Sequence, residues 1–364
     1  MASLTADSAV VRDPVYYEDD GNVILVAEST LFKVHKSRLR KMSAVFADLL
    51  ALPQGDAAVD GQTDECPIVL AGDTSEQVRS LFWALYSRPD EVVAYLGDTD
   101  NNGRWLRLLH VVELAHKYDC MALAQWALNT VAAHCRTADS LGSTEAIIAL
   151  INLHRHRDQL PGLIEWAEPF LHRTTAANNV SYFTLLRAAE LSQWDDLARH
   201  AYYRFVCGGA SSWTSFRLTA SEKLRLLTGS YNVTEVLAAL PSLDMMATHL
   251  PCSSAPYCTS DWPLIWRECC SRSLSQGGKD VLAVLQQLYS LLEAVGAGKL
   301  VISGVRPRFP SGPSAVPVHN CYARSLGAAK EVADLGSKVV QRCFDEELDC
   351  LSANSPEVKA LWTP

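Results

Sequence analysis

The stretch Asp20–Leu52 reads DGNVILVAESTLFKVHKSRLRKMSAVFADLLAL and contains several structural elements in a short space. Its first part, Val23–Ala27, is apolar at consecutive positions, as expected for a strand buried on both faces. Glu28–Thr30 then predicts a turn, and Leu31–Val34 mixes apolar and basic residues in a second strand. The sequence therefore predicts a β-hairpin near the start of the chain.

The spacing of the apolar residues changes after this hairpin. His35, Leu39 and Met42 recur at helical spacing. A second helical stripe follows, formed by Val45, Phe46, Leu49 and Leu50. Ser43 is a favourable N-cap for that helix, and Pro53 ends it. A hairpin followed by two short amphipathic helices is a folding unit rather than a catalytic loop, which favours a protein that works by binding.

Length and composition predict a globular protein with two domains. Hydrophobic residues make up 48% of the 364 residues and charged residues 20%, which suits a substantial core. We expect an α+β N-terminal domain, built from a small sheet and a helical cluster, followed by an all-α C-terminal domain. No apolar run approaches the length that crosses a bilayer, so we expect no membrane partner.

The chain contains eleven cysteines. The N-terminus shows no basic segment followed by an apolar run, which a secretory signal requires. The odd number of cysteines also argues against a disulfide framework. We therefore expect free thiols in a reducing compartment and an intracellular protein, cytoplasmic, nuclear or both.

Charge is unevenly distributed along the chain. Residues 1–130 contain 11 Lys and Arg against 19 Asp and Glu, a net charge of −8. The remaining residues contain 21 against 22, a net charge of −1. This balance leaves no broad basic surface for a phosphate backbone, so we expect no direct contact with nucleic acid.

Composition shifts divide the chain into five regions. We predict an N-terminal tail over 1–19, an α+β domain over 20–136 and a helical C-terminal domain over 137–304. Four prolines and no apolar period predict a loop or linker over 305–318. A last helix and tail occupy 319–364.

Several helices are predicted by their own patterns. Trp105–Tyr118 and Met121–Cys135 are apolar at helical spacing with a very short connection, which predicts an antiparallel helix hairpin. Thr219 and Glu222 form a capping box before a further helix. Val281–Val295 carries the cleanest apolar seam in the sequence and predicts another core helix.

A set of motifs follows in order through the first 135 residues. They are the hairpin Val23–Val34, Phe32-x2-His35-x3-Leu39, Ser43-x2-Phe46-x2-Leu49, the strand Ile68–Leu70, the helix ending at Leu85-Tyr86, and Leu114-Ala115-His116-Lys117-Tyr118-Asp119-Cys120-x2-Leu123. This part of the chain resembles a BTB/POZ domain, in the form found in the large group of BTB proteins of mushroom-forming fungi. The resemblance covers a little over a third of the chain.

The resemblance implies a mainly structural role for the signature residues. They are Val23, Phe32, His35, Leu39, Ser43, Phe46, Leu49 and Tyr118. Leu39, Phe46 and Leu49 would fill the core between the hairpin and the helices. We expect His35 to be a buried, hydrogen-bonded histidine rather than a ligand or a base, because it lacks the partners that catalysis requires.

The resemblance also implies a function in binding other proteins. BTB domains form homodimers or hetero-oligomers, some bind cullin scaffolds as substrate adaptors of ubiquitin ligases, and some recruit co-repressors. The leading hypothesis is thus a self-associating adaptor or scaffold without enzymatic activity, in one version a cullin-type adaptor. The alternative is a transcriptional or chromatin regulator that recruits co-repressors through the BTB domain.

The sequence departs from the family pattern at two places. Many members pair an acidic residue before the first strand with a basic residue after the signature histidine, whereas these positions of a partner pocket hold Asn22 and Lys36. Asp20 is the residue that could replace the missing acid. The loop before the third strand offers Thr63-Asp64-Glu65, without the hydrophobic anchor that a cullin interface would bury. The loop therefore argues against cullin binding.

One cluster of soft ligands allows a zinc interpretation. His249, Cys252, Cys258 and Cys269 (with the adjacent Cys270) follow within about twenty residues. Zinc bound by four such ligands would stabilise a loop-rich segment. The spacing contains no C-x2-C pair, however, and free cysteine is commonly a small buried apolar residue. Apart from this zinc interpretation we predict no cofactor.

The search for a catalytic motif finds nothing that fits. The sequence contains no G-x-S-x-G elbow, no phosphate-binding loop and no G-x-G-x-x-G after a strand. The run His154–Arg157 reads HRHR, and we interpret it as a solvated basic cluster that complements a helix dipole.

Overall fold

The structure is a computed structural model of the chain. It describes residues 10–52, 60–177, 179–209, 218–243, 255–297 and 336–345, together with isolated residues at 213, 299–300, 302, 327, 329–331, 358 and 361. The chain forms two compact units. The first unit comprises Met1–Ser181 and Ala188–Trp194, and the second comprises Tyr182–Arg187 and Asp195–Pro364.

The first unit opens with a small mixed sheet. Its strands are β1 (Val11–Tyr17), β2 (Val23–Ala27), β3 (Thr30–Val34) and β4 (Ile68–Val69), in the order β1-β3-β2-β4. β2 and β3 are antiparallel and form the predicted hairpin, whereas β1 lies parallel to β3 and β4 lies parallel to β2. Glu28 takes a positive φ of 52° in the hairpin turn. Its carboxylate accepts hydrogen bonds from the backbone and side chain of Ser75, both at 3.0 Å.

The expected tail over 1–19 contains strand β1, so this part of the sequence-based division is wrong. Asp13 turns its carboxylate back to the backbone N–H groups of Val15 and Tyr16 at 3.0 and 2.8 Å. The pairing of β1 with β3 is irregular between Arg12 and Tyr17. Pro14 and this local turn interrupt the alternation that identifies a strand, which explains why the pattern is not visible in the sequence.

Six helices follow among the described residues up to Cys135. They are α1 (Lys36–Met42), α2 (Ala44–Leu49), α3 (Ser75–Tyr86), α4 (Pro89–Gly97), α5 (Arg104–Lys117) and α6 (Met121–Cys135). Thr74 caps α3 in a complete capping box with Gln77. Asp119 has a positive φ of 53° in the short turn between α5 and α6, which pack against each other. The predicted order of hairpin, paired short helices, short strand and helix hairpin is confirmed.

The core of the first unit lies between the hairpin and the helices. One face of the sheet contributes alternate hairpin residues to a cluster with α1, α2, α3 and α5. Phe32 meets Phe82 of α3 edge to face, with ring centroids 5.5 Å apart. The opposite face carries a smaller buried cluster of Ile24, Val26 and Leu31, covered by Tyr17. Both faces of the hairpin are therefore buried, as its continuous apolar run predicts.

Helices beyond residue 136 belong partly to the first unit. α7 (Thr144–Asn152) packs on α5, and α8 (Leu163–Ala176) packs on α6; a short 3-10 helix, Leu153–His156, lies between them. The compact unit thus extends to Ser181 rather than ending at residue 136. Helical spacing shows that these segments are helices, but it does not show which neighbour each apolar face contacts.

The second unit is helical in its described parts. Its helices are α9 (Tyr182–Leu191, shared with the first unit), α10 (Asp195–Cys207), α11 (Ala220–Ala239), a short 3-10 helix Leu240–Ser242, α12 (Ala255–Gly277), α13 (Val281–Gly296) and α14 (Gly336–Arg342). Thr219 and Glu222 form the predicted capping box, and the predicted seam of α13 is buried. The predicted linker over 305–318 lies outside the described residues, and α14 is one described part of the predicted last helix.

The segment after α14 is held by an aromatic contact in the second unit. The Phe344 ring lies against Gly229 of α11, where an added Cβ would come within 2.0 Å of a ring carbon. Arg225 donates two hydrogen bonds to the Phe344 carbonyl oxygen, at 3.0 and 2.8 Å. Asn232 donates a longer one, at 3.4 Å, to the Cys343 carbonyl oxygen. The end of α14 is therefore part of the core of this unit.

Candidate protein-interaction site

The two residues of the predicted partner pocket, Asn22 and Lys36, meet at the start of α1. The Asn22 side-chain oxygen accepts a hydrogen bond from the backbone N–H of Lys36 at 2.8 Å. The backbone N–H of Asn22 donates to the Val34 carbonyl oxygen at 2.9 Å. Asn22 therefore connects the hairpin to the first residue of α1 and satisfies one of its free N–H groups. The contact between the two predicted pocket residues is made by the backbone, without a charge pair.

His35 lies in a chain of hydrogen bonds at the same place. Its backbone N–H donates to the Tyr86 hydroxyl at 3.0 Å, and its Nδ1 lies 3.0 Å from the same oxygen. Its Nε2 lies 3.2 Å from a carboxylate oxygen of Asp20. With a neutral ring, these contacts are satisfied when Tyr86 donates to Nδ1 and Nε2–H donates to Asp20.

The expected burial of His35 is wrong, although its expected hydrogen bonding is confirmed. Its side chain is 27% exposed and that of Asp20 is 83% exposed, so the chain of contacts runs from the core to the surface. The hydrogen bond from His35 holds the pKa of Asp20 below its ordinary value. Burial raises the pKa of the Tyr86 hydroxyl. The Asp20 carboxylate therefore pairs with His35 and not with Lys36.

Ser43 connects α2 to the end of α5. Its hydroxyl oxygen accepts the backbone N–H of Phe46 at 3.0 Å, which is the predicted N-cap. The same hydroxyl donates to the Tyr118 carbonyl oxygen at 2.6 Å, and both groups are buried. The Phe46 and Tyr118 rings stack with centroids 4.5 Å apart. Ser43 and Phe46 are thus joined to Tyr118, which is distant in sequence.

Tyr118 also connects this contact to the loop after β4. Its hydroxyl donates to the Asp73 carboxylate, whose other oxygen accepts from the Lys117 ammonium at 2.5 Å. Lys117 also donates to the Ala71 carbonyl oxygen at 2.8 Å. Burial, and then the contact with Asp73, raises the pKa of Tyr118. Because the Asp73 side chain is only 3% exposed, its charge is stabilised by these partners rather than by water.

The remaining signature residues are core residues, as the resemblance implies. Val23, Phe32, Leu39 and Phe46 are fully buried in one cluster, and Leu49 packs against it partly buried. These side chains position the polar contacts described above and are not available to a ligand. The arrangement can support binding between proteins.

A second set of polar contacts involves the loop before β4. Asp64 accepts hydrogen bonds from Arg12 at 2.9 and 2.6 Å and from the Tyr17 hydroxyl at 2.5 Å. The Arg12 guanidinium also lies over the Tyr17 ring, 4.6 Å from its centroid. The hydrogen bond from Tyr17, and next the Arg12 guanidinium, holds the pKa of Asp64 below its ordinary value. The middle residue of the Thr63-Asp64-Glu65 loop is therefore bound to β1.

Sequence reasoning missed Arg12 and Asp73, which carry two of these contacts. Arg12 lies in the segment expected to be a tail, and Asp73 lies in a turn before α3. Each bonds a residue more than forty positions away. Periodicity detects neighbours three or four residues apart, so it contains no signal for such pairs. A buried acid in a turn becomes visible only when the core has been assembled.

The predicted zinc site lies only partly within the described residues, so it stays a prediction. Cys258 and Cys269 both lie in α12, about three turns or 16 Å apart along the axis. Zinc binds thiolates at about 2.3 Å, a distance far shorter than this separation along the helix. Burial raises the pKa of the Cys269 thiol to about 11. His249 and Cys252 lie outside the described residues.

The basic run His154–Arg157 is also not solvated throughout. His154 is buried and stacks on Trp194 with ring centroids 4.5 Å apart. Its Nδ1 lies 3.2 Å from the Ser192 carbonyl oxygen. The interpretation as a solvated cluster is wrong for this residue, because the segment Ala188–Trp194 folds back on the first unit.

Within the described residues, no group of three His, Cys, Asp or Glu side chains is placed to hold a metal ion. The described helices include none that combines the length and apolar character needed to cross a membrane.

Comparisons of this chain with models of protein families, with curated proteins and with solved structures find no match.

Proposed function

We propose that this chain is a protein-interaction protein whose first unit is a BTB/POZ-like module that self-associates. The observation that carries the proposal is the contact network of the signature residues. Ser43, Phe46 and Tyr118 join the hairpin-side helices to α5, and His35 joins the hairpin to α3. The motif residues thus act together as one structural framework. In the proposed assignment the helical region serves as the adaptor or scaffold part.

The free edge of the sheet supports self-association. β1 is the first strand in the sheet order, and among the described strands it pairs with β3 alone. Val11 and Val15 of β1 are 54% and 62% exposed. A strand edge with exposed apolar side chains is a template for pairing with another chain, and self-association would cover it.

The cullin-adaptor version of the proposal depends on a different surface. Asp64, at the centre of the loop before β4, already accepts hydrogen bonds from Arg12 and Tyr17. The loop also has no exposed aliphatic side chain between Thr63 and Glu65 that could anchor a partner. Interfaces between proteins depend on such buried anchors. We therefore propose a general adaptor or scaffold role rather than one that depends on cullin binding.

Copurification of two differently tagged full-length copies tests the proposal. Capture of one copy through its tag should recover the other from mixed extracts and after mixing of purified proteins. Mass spectrometry of the same capture identifies further partners, and a cullin among them would favour the ubiquitin-ligase version. Failure to recover the second copy at micromolar concentrations would contradict self-association.

A further inference from the structure

Helix α1 concentrates positive charge in an acidic part of the chain. Residues 1–130 contain 11 Lys and Arg against 19 Asp and Glu. Four of these cations, Lys36, Arg38, Arg40 and Lys41, lie in the seven residues of α1, which contain no acid. The rest of this region therefore carries a strong excess of negative charge, and α1 is a local exception to it.

The other seven cations of residues 1–130 all have partners in the fold. Four of them form ion pairs: Arg12 with Asp64, Arg79 with Asp13, Arg88 with Glu91, and Lys117 with Asp73. Two donate to carbonyl oxygens, Lys33 to that of Asp19 and Arg104 to that of Asp98. The last, Arg107, lies over the Tyr95 ring. In a region rich in acids, cations find such partners readily. Their use in the fold explains their positions without a ligand.

Three of the four cations of α1 differ from these in their surroundings. Among the described residues, the side chains of Lys36, Arg40 and Lys41 form no ion pair and no hydrogen bond. Arg38, Arg40 and Lys41 are exposed. The helix is itself firmly placed, because Leu39 is fully buried in the core. The buried Leu39 thus fixes the position of α1, and α1 presents these cations at the surface.

Arg38 is additionally oriented by the fold. Its guanidinium lies over the Tyr86 ring, 4.7 Å from the centroid, and donates to the Leu85 carbonyl oxygen at 3.0 Å. One contact fixes the plane of the group and the other uses one of its five N–H donors. The remaining donors stay available for a planar anion such as a carboxylate.

The helix dipole explains only part of this pattern. Arg40 and Lys41 lie in the last turn of α1, where a positive charge is favourable. Lys36 and Arg38 lie in the first half of the helix, where the dipole disfavours a cation. A requirement for charge at the surface accounts for all four positions, whereas the dipole accounts for two.

We propose that the exposed side of α1, formed by Arg38, Arg40 and Lys41, binds an acidic segment of a partner protein. The inference rests on the proposed function and names the chemistry of one partner. Carboxylates of the segment would pair with the two guanidinium groups and the ammonium. Charge complementarity would set the rate and specificity of binding more than its strength.

The size of the patch favours a short acidic peptide segment over a nucleic acid or a membrane. Seven helical residues span about 10 Å, which a few acidic side chains can cover. Exposed charges interact over a Debye length of about 8 Å at physiological salt. A duplex or an anionic bilayer extends far beyond this distance and would meet the surrounding excess of acids. A short segment would contact the patch alone.

The experiment measures binding of a defined probe to the full-length protein. The probe is a fluorescein-labelled peptide of twelve residues that alternates Glu and Gly, and the readout is fluorescence anisotropy at 50 and 200 mM salt. We expect saturable binding that weakens at least tenfold between these salt concentrations. The triple variant Arg38→Glu, Arg40→Glu, Lys41→Glu should weaken binding at 50 mM salt at least tenfold.

A matched control separates the patch from net charge. Arg136→Glu, Lys223→Glu and Arg267→Glu reverse three exposed cations that lie far apart in sequence, with the same change in net charge. This control should weaken binding less than threefold. The neutral variant Arg38→Gln, Arg40→Gln, Lys41→Gln, checked by its thermal transition, replaces the charge-reversed one if that variant does not fold.

Several results would overturn the inference. They are the absence of binding at 50 mM salt, an equal loss in patch and control variants, or tighter binding of a twelve-nucleotide single strand or of phosphatidylserine vesicles than of the peptide. The molecular mass of the same samples is measured in parallel. An associated protein that does not bind the peptide would contradict this inference alone, whereas a monomer would contradict the proposed function.

Discussion

Replacement of Ser43 by Ala tests whether the signature residues form one structural network. The hydroxyl of Ser43 caps α2 at the Phe46 N–H and donates to the buried Tyr118 carbonyl oxygen. Alanine removes both contacts and adds no bulk. The change therefore acts on the connection between α2 and the end of α5 without enlarging or compressing the core.

The expected cost follows from these two contacts. Loss of a serine N-cap costs about 1 kcal/mol. A buried carbonyl oxygen left without its donor costs about 1–3 kcal/mol, and the lower half applies because the Cys120 thiol remains 3.4 Å from the Tyr118 oxygen. The sum is about 2–3 kcal/mol. Since 1.4 kcal/mol corresponds to a factor of ten, local opening should become about 30 to 150 times more frequent.

Hydrogen–deuterium exchange with mass spectrometry measures this opening. In Ser43→Ala, amides of α2 and of the turn at Tyr118 should exchange faster by the stated factor, and both segments should change together. The control is Ser37→Ala, because Ser37 is exposed on α1 and should leave exchange unchanged. A less than threefold change in Ser43→Ala, or acceleration at α2 without acceleration at Tyr118, would refute the network.

Three further outcomes are expected. NMR titration should show a pKa of the Asp20 carboxyl below its ordinary value, and His35→Gln should raise that pKa back towards the ordinary value. Because the folded-state pKa is lowered, the contact stabilises the fold at pH values above the ordinary pKa. This stabilisation is lost as the pH falls through the folded-state pKa. Gly229→Ala should lower the free energy of unfolding of the second unit by about 1–3 kcal/mol, because the added methyl group overpacks against the Phe344 ring. Phe344→Ala removes this clash, so the destabilisation of the double variant should be smaller than the sum of the two single variants. Alkylation at pH 8 should be slower at buried thiols than at the half-buried Cys66, because burial raises their pKa to about 11 or 12. These buried thiols are Cys120, Cys269, Cys135 and Cys343.

The local elements of the fold could be predicted because their signals are local. The continuous apolar run of β2, the cap at Ser43 and the seam of α13 each depend on residues within one turn or one strand. Their bounds in the structure follow the sequence patterns closely. The same holds for α6, where the predicted Met121–Cys135 agrees with the structure.

The parts that could not be predicted depend on distant partners. β1 exists because its backbone pairs with β3, although Pro14 and Asp13 interrupt its own pattern. His154 looks like a surface histidine in its basic run and is buried only because Trp194 returns to cover it. The zinc interpretation has a related weakness, because the same spacing in sequence spans very different distances in a helix and in a loop.

Sedimentation equilibrium of the full-length protein tests the central proposal most directly. A self-associating chain should show a mass of about twice 39.9 kDa or more at micromolar concentrations. Val15→Lys, at the exposed edge of β1, should shift the equilibrium towards the monomer, whereas Val93→Lys, at an exposed position of α4, should not. A mass of 39.9 kDa for the unmodified chain over the whole concentration range would contradict the account.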